Sequence, residues 1–101
     1  MAGVGLTDDR RWFEAQCAGA PGPLRERAAH YFLTRDQPGR LPERLGASAQ
    51  VALGAVLASS GDRSVALDLL AADALVTLAL KAQAGAGPAE LDRFAAELLG
   101  D

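Results

Sequence analysis

From Arg63 to Ala84 the chain runs twenty-two residues without a glycine or proline, mostly in alanine and leucine. Such a stretch predicts one helix about 33 Å long at 1.5 Å per residue. At about 100° per residue, Val65, Leu69, Val76 and Leu80 gather on one side, and Leu67, Leu75 and Leu78 on nearly the opposite one. Asp73, Thr77 and Lys81, at i, i+4 and i+8, leave one narrow polar stripe. A helix apolar on two sides must be covered from both, which makes it the centre of a bundle. A transmembrane span wants about 20 apolar residues with few or no charges. Asp68 and Asp73 break this run, so no membrane span is read.

Glycine and proline punctuate the rest. A first helix is expected from about Asp8 to Ala18, with Thr7 as N-cap and Asp8 and Asp9 on the helix dipole; residues 1–6 read as a flexible N-terminus. Residues 19–23, Gly-Ala-Pro-Gly-Pro, end it, and Pro23 suits the first position of a second helix reaching Thr34. After a turn at 35–40, a third helix is expected from Pro42 to Ser59. Residues 59–62, Ser-Ser-Gly-Asp, form a short connection with Asp62 as the next N-cap. Residues 85–88, Gly-Ala-Gly-Pro, separate the long helix from a fifth spanning Pro88 to Leu99, with Gly100 as its stop. The fold class is therefore all-α: one domain over 1–101, a small bundle of four to five helices around a central antiparallel hairpin of the third and fourth. Composition agrees. The alanine, leucine, arginine and glutamate that dominate are strong helix formers, β-branched residues are scarce, and isoleucine is absent.

The three shorter helices read as covers, each apolar on one side. The fifth carries Leu91, Phe94, Ala95 and Leu98 on one face, and the second Leu24, Ala28, Tyr31 and Phe32. The first offers Trp12, Phe13 and Cys17. The third helix has a bulky side (Leu41, Leu45, Leu53, Val56, Leu57) and a ridge of smaller residues: Ala47, Val51, Gly54 and Ala58. A mid-helix glycine costs about 1 kcal/mol against alanine, so Gly54 suggests that something packs there. The ridge is the expected interface.

Catalytic and metal-binding patterns are missing. His30 is the one histidine, and with Glu26 it makes an i, i+4 pair short of the three or four protein ligands zinc wants. Cys17, the sole cysteine, lies near a helix C-terminus, away from anything that would activate a thiol. One cysteine allows no internal disulfide, which suits a reducing cytoplasm. The N-terminus has no basic stretch followed by a long apolar one and is not read as a signal peptide. No P-loop, G-x-G-x-x-G, G-x-S-x-G or C-x-x-C occurs. Asp73-Ala74-Leu75 has alanine where the attachment site of an acyl carrier protein has its serine. No enzyme, cofactor or metal is expected.

Net charge is −3 and the pI about 5.0, and acids interleave the arginines of residues 1–50. Nucleic-acid binding would call for a basic stripe and a high pI. Asp68 shares its side of the long helix with Ala72, Leu75 and Ala79, so it is the candidate buried charge. A buried carboxylate needs a partner, and an arginine from the first half of the chain is the natural one. The function expected from all this is a protein–protein interaction module, an accessory subunit or adaptor that forms a homodimer or binds another protein. The alternative is a carrier or sensor of a small apolar molecule held in the helical core.

Overall fold

A computed structural model of the chain describes residues 2–34, 39–59, 61 and 63–100, with side chains from Asp8 onward. The described residues form five α-helices and no strand: α1 (Ala2–Cys17), α2 (Gly22–Leu33), α3 (Leu41–Ala58), α4 (Arg63–Ala86) and α5 (Leu91–Leu98). A single 3-10 turn at Pro88–Glu90 leads into α5. The helix α1 begins well before Asp8. Once a helix is nucleated, each added residue gains a hydrogen bond at low cost, and Asp9 is thereby placed mid-helix beside Arg44 instead of at a terminus. Glu43 caps α3 by accepting a hydrogen bond from the Arg40 backbone N–H at 2.9 Å. Gly61, at φ +93°, takes the left-handed conformation that turns α3 back into α4. The expected N-cap Asp62 and most of the 35–40 turn lie outside the described residues.

The hairpin of α3 and α4 is the centre of the bundle, as their pairing is the most extensive in the fold. Its seam is small. Ala49 and Ala52 from α3 and Ala71, Ala72 and Ala79 from α4 are all fully buried, with Leu45 and Leu75 as the bulky residues among them. Helices packed through alanine sit at the close end of the usual 8–10 Å separation. Here the structure corrects the expected faces. The buried side of α3 centres on Leu45, Ser48, Ala49 and Ala52, which rotates Leu53 and Leu57 out to solvent. On α4, Leu75 and Leu78 face inward while Leu69 and Leu70 do not. Apolar periodicity finds the stripes on such a helix but not which of them an alanine-lined partner selects.

The covers sit where their own faces direct. Leu91, Phe94, Ala95 and Leu98 of α5 are half-buried, and Glu90, Arg93 and Glu97 are exposed. The helix α2 buries Ala28, Tyr31 and Phe32. The helix α1 is held through side chains: Phe13 lies on Phe32 with ring centroids 4.8 Å apart, Asp9 accepts from Arg44 at 2.6 Å, and Gln16 accepts from Lys81 at 2.5 Å. Arg44 also stands 5.0 Å above the Phe32 ring. Thus α1 lies across the open end of the hairpin.

Two glycines of α3 separate cleanly. A β-carbon on Gly46 would stand 3.0 Å from Leu98 Cδ1, whereas nothing lies within 4 Å of one on Gly54. Close approach is therefore needed at Gly46, where α5 packs. Gly54→Ala is expected to raise stability by about 0.5–1 kcal/mol. Gly46→Leu is expected to lower it by about 1–3 kcal/mol through overpacking. Thermal melts of the two variants check this, and equal stability of both would mean that α5 does not rest on Gly46.

Candidate functional site

The ridge expected from the sequence is split. Ala47 and Val51 are half-buried, with Ala47 at the edge of a cleft shared with α5; Gly54 and Ala58 are exposed. Nothing described in the chain packs on Gly54. Beside this open half stand leucines that the sequence reading had turned inward: Leu53 and Leu57 on α3 and Leu69 on α4. Leu57 is 85% exposed. In an antiparallel hairpin with so short a connection, Leu53 and Leu69 fall at the same height. Their angular positions put both on the side of the hairpin that α5 covers lower down. The closed end of the hairpin thus carries an apolar surface. The signal for it was present in residues 53–70, but helical periodicity alone does not say which leucines solvent will see.

Asp68 is buried, and its Oδ1 accepts two hydrogen bonds, from Arg27 Nη1 at 2.5 Å and from Tyr31 Oη at 2.9 Å. Both donors come from one face of α2, where residues four apart lie side by side. The Tyr31 hydroxyl is held above its ordinary pKa of 10.0, first by burial and then by its bond to Asp68. This cluster ties α2 to α4. An open groove of about 460 Å³ beside it is edged by Glu26, His30 and Leu67. Arg27 is already committed to Asp68 there, so the arrangement serves packing and register first. Cys17 is buried, and burial raises its thiol above the ordinary value of 9.0 against a smaller opposing effect of Arg25. A thiol so placed is a poor nucleophile.

The second distinctive feature is the cleft between α3 and α5, about 280 Å³ in volume and open to solvent. Gly46, Ala47, Phe94 and Leu98 make its apolar lining. Gln83, only 2% exposed, lines it from α4 and donates from Nε2 to the Gly87 carbonyl at 2.8 Å. At the rim, Arg40 pairs with Glu43 and Arg93 with Glu90. Glu97 has no ion pair among the described residues. Sequence reasoning gave Gln83 no role, and the cleft forms only where α5 packs beside α3 and α4, which helical periodicity does not show.

Among the described residues, no group of three or more His, Cys, Asp or Glu side chains is arranged to hold a metal ion. No described helix is long and apolar enough to cross a membrane. No protein-family model, curated protein or solved structure matches the chain.

Proposed function

We propose that this domain is a protein–protein interaction module that associates with itself through the closed end of the α3–α4 hairpin. The observation that carries this is Leu57, 85% exposed, one helical turn from the exposed Leu53, which stands level with the exposed Leu69 of α4. Clustered apolar area of this kind costs solubility unless a partner covers it. Gly54 and Ala58 extend the surface with small side chains, so a second copy can approach closely. A two-fold contact would set the same patch against itself. The alternative, carriage of a small apolar molecule, finds less support, because the clefts described above open to solvent and a ligand pocket usually encloses most of its occupant. The lone buried thiol of Cys17 suits the reducing cytoplasm, where we place the protein.

Sedimentation at micromolar concentration tests the proposal. The wild type is expected to be dimeric, and Leu57→Asp monomeric with an unchanged helical spectrum. Gly54→Leu checks the location, since a large side chain there should weaken a dimer built on the ridge. A wild type that stays monomeric at every accessible concentration overturns the reading.

A further inference from the structure

We propose that the α3–α5 cleft receives the guanidinium of an arginine side chain presented by a partner protein. This rests on the reading of the domain as an interaction module, but not on its self-association. The cleft is short of hydrogen-bond donors. With Nε2 of Gln83 engaged by the Gly87 carbonyl, its Oε1 has no hydrogen-bond partner among the described residues, although the residue is only 2% exposed. The orientation of the amide follows from Gly87: a β-carbon there would stand 3.2 Å from Nε2, and its absence lets the two groups meet. A buried carbonyl oxygen left over in this way calls for a donor from outside.

The rim specifies that donor. Each of its arginines already has a carboxylate, Arg40 with Glu43 and Arg93 with Glu90, so the remaining charge is the negative one of Glu97. Acceptor and carboxylate together select a cation with several N–H groups. Phe94 on the wall narrows the choice further. A guanidinium is planar, stacks on an aromatic face, forks onto a carboxylate and still has a donor to spare for Gln83 Oε1. An ammonium is a strongly hydrated point charge and uses the ring less well. Size favours a side chain over a whole metabolite: about 280 Å³ is at the small end of ligand pockets, which run to roughly 300–1,000 Å³. Arginine is also among the residues that most often anchor protein interfaces.

The test is a nitrogen–proton NMR titration of the full chain with a capped Gly-Arg-Gly peptide. The same titration is run with lysine and norleucine in place of arginine and with methylguanidinium alone. Saturable shifts are expected at Ala47, Glu97 and the Gln83 side-chain amide. Glu97→Gln, on the exposed face of α5, is expected to weaken binding about tenfold, as befits loss of a charge-assisted hydrogen bond. Gln83→Met should weaken it as well; if that variant fails to fold, Glu97→Gln decides alone. No saturable shift, or equal affinity for Glu97→Gln, overturns the proposal. Equal binding of the lysine peptide overturns the guanidinium assignment, and equal binding of methylguanidinium overturns the assignment to a partner protein. Running the titration on monomeric Leu57→Asp as well separates this outcome from failure of the self-association reading.

Discussion

Replacing Phe32 by alanine is expected to cost about 3–5 kcal/mol, the range for removing a buried aromatic ring, and to release α1. Phe32 is 1% exposed and touches two different anchors of that helix. Its ring carries Phe13 of α1 directly. Its other role is to support Arg44, whose guanidinium lies over the ring and reaches Asp9 of α1. Removing the ring leaves Phe13 over a void and Arg44 without its platform. What remains is the Arg44–Asp9 pair without its platform, the exposed Gln16–Lys81 hydrogen bond of small net value, and the packing of Trp12 and Cys17 on the core. Trypsin supplies the check, because Arg10 and Arg11 lie on α1. Rapid cleavage there in Phe32→Ala, under conditions that spare the wild type, is the expected result. If stability falls but both sites stay protected, α1 is held by contacts other than this stack.

Asp68→Ala is expected to destabilise the bundle by about 2–3 kcal/mol, because it strands two donors at once. The side chain of Arg27 is 31% exposed, so water recovers part of its loss and keeps the figure below that for a fully buried pair. Asp68→Asn still accepts a hydrogen bond and should cost less. The pH dependence follows from Tyr31. Because the folded state keeps the phenolic proton at pH values where the unfolded chain releases it, stability is full below about pH 10 and falls as pH rises through the folded pKa. The raised thiol of Cys17 acts in the same sense, starting near pH 9. Tyr31→Phe should therefore flatten the alkaline limb and leave the contribution of Cys17. Denaturant titrations between neutral pH and pH 11 measure both effects. A neutral Asp68→Ala would show that the carboxylate is effectively solvated.

Residues of special conformation and one-sided helices were the legible part of this chain. Pro23, Pro42, Pro88 and Gly87 place the breaks within a residue or two, since what they forbid does not depend on tertiary context. The faces of α2 and α5 could be read because each has only one apolar side to bury. The helices α3 and α4 offered more apolar surface than one partner can cover. The choice between stripes depends on how near the two axes come, a property of the pair and not of either segment. That is why Leu53, Leu57 and Leu69 were misassigned and why Gly46 went unnoticed beside Gly54. Asp68 stood out as a charge within an apolar stretch, but its donors Arg27 and Tyr31 sit 41 and 37 residues away, beyond the reach of periodicity. The α3–α5 cleft was invisible for the same reason.

The alanine seam of the hairpin also reverses the usual pattern of evolutionary constraint. In most cores the large side chains are the guarded ones, and small residues drift. Here Ala49, Ala52, Ala71, Ala72 and Ala79 have no accessible surface, and any added methyl group acts as a wedge between two backbones that have little room to separate. Glycine in their place gives up helix propensity, and serine is admissible only where its hydroxyl can reach a carbonyl, as Ser48 does to that of Arg44 at 2.9 Å. The permitted alphabet at these positions is nearly a single letter. The exposed leucines near the hairpin tip are free to change as far as folding is concerned. Among sequences sharing this fold, alanines should therefore mark the architecture, and the exposed leucines should vary without cost to it.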